Sequence, residues 1–154
     1  MKSVNKIRKF IEENKIPAEL IILKESTKTS QMAANALGCD VAEIAKSIVI
    51  ICNEPIIVVI SGDKKVDLNK LSKLLGCEAR MADPDTVRES TGFPVGGVPP
   101  FGHDKPIRIL IDKSIERFKI VYAAGGSPNS IIKIPVDVLK TVTKGTIVDV
   151  AEIT

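Results

Sequence analysis

Two runs of β-branched and aliphatic residues, Ile48–Ile51 and Ile56–Ile60, stand only a few residues apart and constrain this chain more than any other feature. Such residues crowd the preceding turn of a helix and fit a pleated strand. Neither run has a polar residue at alternate positions, so each reads as a strand buried on both faces. The connection through Asn53, Glu54 and Pro55 is too short for a crossover, which makes the pair an antiparallel hairpin. A hairpin covered on both sides needs layers above and below it. With 154 residues, 44% of them hydrophobic, the chain has enough material for one such core, and no repeat or low-complexity linker divides it. Residues 1–154 are therefore expected to form a single domain.

The flanking pattern supplies those layers. Val4, Ile7 and Ile11 recur at helical spacing behind Ser3, an expected N-cap, and Pro17 closes the segment. Leu20–Leu23 suits a strand, and the Ala-rich stretch Gln31–Leu37 suits a helix ended by Gly38. Asp40 and Glu43 have capping-box spacing. Leu68, Leu71, Leu74 and Leu75 mark an amphipathic helix between Asp67 and Gly76. A strand at Glu78–Met81 precedes a helix opened by Asp83 and Pro84. Further strands are expected at Ile107–Ile111, Lys119–Ala124, Ile131–Ile134 and Thr146–Val150, with a helix opened by Pro135. Strands outnumber what alternating βαβ units would supply. The expected fold class is mixed α/β (α+β), with a mainly antiparallel or mixed sheet curled toward a partial barrel and flanked by helices.

Composition excludes several functions. Lys and Arg exceed Asp and Glu by 22 to 19, a mild preference for polyanions only. Four Phe, one Tyr and no Trp leave few rings on which to stack single-stranded bases. Cys39, Cys52 and Cys77 form no CxxC pair, so they read as reduced core thiols of a cytoplasmic protein, with no disulfide framework or metal site. The first ten residues lack the apolar stretch of a signal peptide, and no segment has the length of a membrane span.

Candidate chemistry lies at four places. In a strand beginning near Ala45, Lys46 shares a face with Ile48 and Ile50, where a cation is out of place unless it meets an anion or snorkels to water. The segment TGFPVGGVPPFG from Thr91 to Gly102 is too rich in Gly and Pro for regular structure. Its Gly96, Gly97, Val98, Pro99 and Pro100 could present backbone N–H groups to a carbonyl oxygen, or form a plain connection. Gly125 and Gly126, followed by Ser127, Pro128 and Asn129, form a second permissive turn, and the sequence does not say whether the two loops meet. His103, the sole histidine, is followed by Asp104. Adjacency in sequence is a poor position for orienting an imidazole ring, so a loop-bracing histidine is expected over a triad with Ser127.

Three stretches together resemble the YbaK and prolyl-tRNA synthetase editing-domain family: TSQMAANALGCDVAEIAKSIVI at Thr29–Ile50, TGFPVGGVPPFGH at Thr91–His103, and YAAGGSPNSIIKI at Tyr122–Ile134. The resemblance covers nearly the whole chain from about Leu20 to Val148. It places the family's strand lysine on Lys46, its GxxxP loop on Gly96–Pro100, and the third motif's glycine on Gly125 or Gly126. It implies a compact mixed α/β fold and hydrolysis of the ester between an amino acid and the terminal tRNA ribose, acting in trans on mischarged tRNA. The alternative is a non-catalytic module that holds tRNA ends or a synthetase partner.

By this resemblance Lys46, Gly96 and Gly126 are the catalytic candidates, and Thr29, Gly97, Val98, Pro99, Pro100, His103, Gly125, Ser127 and Asn129 the substrate-binding ones. The family is thought to use the substrate's ribose hydroxyl to activate water, so no protein base, metal or cofactor is expected. Two positions depart from the YbaK pattern. Pro99 replaces a frequent serine and SPNS replaces a segment often bearing Ser, His or Lys, so neither transfers a cysteinyl, prolyl or alanyl specificity.

Overall fold

In the computed structural model, which describes residues 2–153 and the side chains of residues 3–153, the expected hairpin is β2 (Ile44–Cys52) and β3 (Glu54–Ser61). Their register runs from Ala45 opposite Ser61 to Cys52 opposite Glu54. The turn is Asn53 alone, in the left-handed region at φ 67°, a conformation that Asn tolerates better than most side chains. Glu54 and Pro55, expected in the turn, already belong to β3. Pro55 lies at the strand's start, where its missing N–H is tolerated.

Both faces of the hairpin are covered, as the uninterrupted apolar runs require. Val49, Ile57 and Val59 join one cluster with Ile7 of α1 (Lys2–Glu13), Val87 of α4 (Pro84–Thr91) and Leu139 of α5 (Val136–Thr143). Ile50, Ile56, Val58 and Ile60 join a second with Leu71 of α3 (Leu68–Leu75). A third packs Ala33 and Ala34 of α2 (Ser30–Leu37) on Ile44.

The remaining strands are β1 (Glu19–Ile22), β4 (Arg80–Met81), β5 (Arg108–Asp112), β6 (Ile120–Ala124), β7 (Ser130–Pro135) and β8 (Thr146–Val148). The sheet order is β1-β7-β6-β2-β3-β5-β8, with β4 beside β2. β1 with β7, β6 with β7, β2 with β3 and β2 with β4 are antiparallel, while β2 with β6, β3 with β5 and β5 with β8 are parallel. The domain is a single compact α/β body with a mixed sheet that is not closed into a barrel.

Caps fix the helices where the sequence placed most of them. Thr29 caps α2, Asp67 caps α3 and Asp83 caps α4, each side chain accepting from a first-turn N–H, and Asp40 and Glu43 form the expected capping box. Such caps stabilise by about 1 kcal/mol each. Ser3 is inside α1 and not its cap.

The cysteine expectation is corrected. Cys52, at the end of β2, and Cys77, just beyond α3, are joined by a disulfide with Cα atoms 5.6 Å apart, leaving Cys39 free. Burial, the largest cause, together with Glu43 and Asp40 pushes the Cys39 thiol above its usual pKa. The pairing joins residues 25 positions apart with no spacing motif, so only the tertiary fold reveals it. Reduction is expected to destabilise the domain by about 2–4 kcal/mol, through the loop entropy it returns to the unfolded chain. Urea midpoints with and without reductant, and for a Cys52→Ala, Cys77→Ala variant, check this.

Candidate functional site

The strand pairing creates an opening at the centre of the sheet. On the side away from β3, β2 pairs with β6 only at Ile44 and Ala45, and with β4 only at Ile50 and Ile51. Between them Lys46, Ser47 and Ile48 have no neighbouring strand, while the Val49 carbonyl accepts from Ala82 N–H. A cavity of about 290 Å³ occupies this gap. Thr27, Lys28 and the start of α2 wall one side; Met81, Ala82 and Val87 wall another; Val95, Gly96 and Val98 close a third, with Ala124 and Ile131 behind. Most of the lining is apolar, with a few polar groups converging on it, the usual composition of a ligand site.

Lys46 lies on the even face of β2 with Ile44 and Ile48 and borders this cavity. Desolvation is the main cause that lowers its pKa from the ordinary lysine value; nearby Asp63 opposes the shift and Lys65 adds to it. Asp63 is itself engaged by Arg117, with which it forms a bidentate pair at 2.7 and 3.2 Å. Lys46 therefore stands half-buried with no ion pair of its own among the described residues, a cation available to an anionic ligand.

The two glycine loops meet, which the sequence did not say. A Cβ on Gly97 would lie 3.0–3.1 Å from the backbone of Ser127, tighter than most side chains sit against a neighbour, so glycine eases this approach. Gly96 and Val98 line the cavity, and their N–H groups have no protein partner among the described residues. The Gly97 N–H is bound to the Pro94 carbonyl, and the Gly125 N–H to the Ser130 carbonyl. Gly126 sits beneath α1, where a Cβ would meet the Ser3 carbonyl at 2.9 Å. Ser127 Oγ contacts Asn129 and Ser130, and the Asn129 amide donates to the Leu23 carbonyl. This polar network folds the second loop, and neither Ser127 nor Asn129 borders the cavity.

Thr29 borders the cavity, while its Oγ1 accepts from Met32 N–H as the cap of α2. Pro99 and Pro100 are buried behind the wall. His103 Nε2 lies 2.8 Å from the Pro99 carbonyl, its ring set edge-on to Phe93. Lys6 of α1 pairs with Asp104 at 2.6 Å and lies over the Phe93 ring. Helix α1 and His103 thus brace the glycine–proline loop, and neither borders the cavity.

Burial is the main cause that lowers the His103 pKa, and Lys6 adds to it; the Pro99 contact and Asp104 oppose it. The folded state therefore holds this proton less tightly than the unfolded chain does. The stability this contributes is present above the unfolded histidine pKa and is lost as pH falls through the folded one. Stability is expected to drop on mild acidification. A His103→Gln variant should show a flatter profile in urea titrations across that range.

Thr27, Lys28, Ser47 and the apolar residues of the far wall were not singled out from sequence. The strand alternation that exposed Lys46 also carried a signal for Ser47, the next residue on the opposite face of an otherwise aliphatic strand.

The geometry defines an α/β domain with a ligand cavity at an unpaired stretch of strand edge, lined by a half-buried lysine and a glycine-rich loop. The model of the aminoacyl-tRNA editing domain matches residues 24–142, and the chain belongs to that family. It is 38% identical over 111 residues to the uncharacterized protein YwhH of Bacillus subtilis, covering 71% of each chain. A stretch of 82 residues, 53% of this chain, is 39% identical to a proline–tRNA ligase of Brachyspira hyodysenteriae, of which it spans 14%. A crystal structure described as a proposed trans-editing enzyme for prolyl tRNA synthetase superposes with a TM-score of 0.92 at 32% identity, over 99% of this chain and 98% of that one.

Among the described residues no helix is long and apolar enough to cross a membrane.

Proposed function

We propose that this protein is a free-standing aminoacyl-tRNA deacylase that hydrolyses the ester of mischarged tRNA in trans. The observation that carries this reading is the cavity at the unpaired edge of β2, whose lining brings together Lys46 and a loop wall with unspent N–H groups at Gly96 and Val98. Membership of the editing-domain family supports the aminoacyl end of a tRNA as the substrate of that cavity.

In this reading Lys46 and Lys28 hold the phosphate and ribose of the acceptor end, since both residues border the cavity. A Gly96 or Val98 N–H donates to the ester carbonyl oxygen as negative charge grows there, a contact worth about 3 kcal/mol of barrier when well aimed. Water adds to the carbonyl carbon, the bond to the ribose oxygen breaks, and that oxygen takes a proton. The amino acid leaves as a carboxylate. No histidine, carboxylate or thiol borders the cavity, and this reading assigns activation of water to the neighbouring ribose hydroxyl.

The test is deacylation of a panel of mischarged tRNAs, including tRNA(Pro) charged with alanine and with cysteine. The expected result is release of at least one amino acid well above the spontaneous rate. Tight binding of charged tRNA with no turnover on any member would replace this reading with that of a non-catalytic module for tRNA ends.

A further inference from the structure

Two side-chain hydroxyls of the cavity lining, Thr27 Oγ1 and Ser47 Oγ, are buried and have no hydrogen-bond partner among the described residues. Buried polar groups are nearly always paired, so these two are vacancies in the hydrogen-bond network that a ligand can fill. Ser47 adds a second feature. The carbonyl of Ile44 accepts from Gly62 on the β3 side, whereas that of Val49 accepts from Ala82 on the open side. The alternation of a strand then aims the Ser47 N–H and C=O into the gap between β6 and β4, where no strand meets them.

The lining contains the cations Lys28 and Lys46 and no Asp or Glu. An aminoacyl ester, however, carries an α-ammonium group, which has three donors to satisfy. Lysines cannot accept them. Thr29 and Ser30 stand at the start of α2, which packs with Ile44 on the Lys46 face of β2. Ser47 is on the other face with Ala45 and Val49, which share a cluster with Val87 and Val98. The strand edge therefore carries Lys46 on one face and Ser47, with its unspent acceptors, on the other.

We infer that Ser47 receives the α-ammonium of the aminoacyl group through its hydroxyl and its outward-facing carbonyl, placing the amino acid between β2 and the wall formed by Val87 and Val98. This assignment rests on the deacylase reading above. Ser47 is favoured over Thr27 because one residue supplies two convergent acceptors. Thr27 lies outside any strand, so no strand alternation aims its carbonyl at the gap, and its N–H donates to the Pro128 carbonyl at 2.6 Å.

The test uses two non-hydrolysable ligands that differ only in the ammonium: 3′-alanylamido-3′-deoxyadenosine and its 3′-propionylamido counterpart. Calorimetric titration is performed at a pH where the amine is protonated, on wild type, Ser47→Ala and Ser47→Thr, each checked for unchanged thermal unfolding. The wild type is expected to prefer the alanyl ligand by roughly tenfold or more, the scale of one hydrogen bond to a charged group. Ser47→Ala should weaken the alanyl ligand by about tenfold and leave the propionyl ligand unchanged, and Ser47→Thr should retain most of the preference.

Equal weakening of both ligands, no weakening of either, or a wild type indifferent to the ammonium overturns the assignment. If the wild type turns over a mischarged tRNA while showing that indifference, only the role of Ser47 falls. A wild type that binds neither ligand and hydrolyses no tRNA removes the deacylase reading and this assignment together.

Discussion

Replacing Lys46 by alanine is expected to lower kcat/KM for deacylation by roughly 10- to 100-fold, the cost of removing one charge-assisted hydrogen bond to the substrate. The same replacement should leave the fold as stable as before, or more so. The sign follows from the lowered pKa of the lysine, whose largest cause is desolvation. A folded pKa below the unfolded one means that the native state holds the proton less tightly. The ionised side chain therefore works against folding at neutral pH, and Asp63 offsets only part of that cost. Most residues that are half-buried in a core make the opposite contribution. Urea denaturation and single-turnover kinetics on the same preparation separate the two effects. A Lys46→Ala protein that loses stability and retains its rate would show a structural lysine. Lys46→Arg should recover part of the activity, because it keeps the charge but not the compact head group.

The position of this lysine was readable because a strand has a period of two and its neighbours are aliphatic. Uninterrupted apolar runs gave the hairpin, and the cap residues Asp67 and Asp83 and the pair Asp40 and Glu43 marked helix starts that the structure reproduces. What the sequence hid were relations between distant segments. That Gly97 packs against Ser127, that β6 and β4 stop short of one another along β2, and that Cys52 meets Cys77 are all products of sheet order. No local pattern encodes them. The glycine-rich character of both loops was plain, but its reason differs from place to place. Gly97 permits two backbones to approach, Gly126 makes room for the start of α1, and Gly96 shapes the cavity wall. The site is thus an interstice, made by strands that fail to pair, and its two lysines and unpartnered hydroxyls acquire meaning only once that gap exists.

Gly96→Ala should be the most damaging single-methyl change in this wall. Gly96 has φ 84°, so an L side chain there costs about 1–2 kcal/mol in backbone strain. The new methyl would also lie 2.6 Å from Lys28 Cγ and 3.0 Å from the Lys28 carbonyl. The Cγ can move, but the carbonyl belongs to the segment leading into α2, and overpacking of this kind costs a further 1–3 kcal/mol, about, on top of the strain. Either the loop or residues 27–29 must shift, and both are walls of the cavity. A displacement of about 1 Å in groups that position a reacting ester can lower the rate by roughly 100-fold. Gly38→Ala supplies the control. Its φ of 70° imposes similar backbone strain, yet a Cβ there meets nothing within 4 Å, and it lies outside the cavity lining. The two variants should therefore share the backbone cost, while only Gly96→Ala loses activity and the additional stability. Equal urea midpoints and equal deacylation rates for the two would mean that the contact between Gly96 and Lys28 does not shape the site.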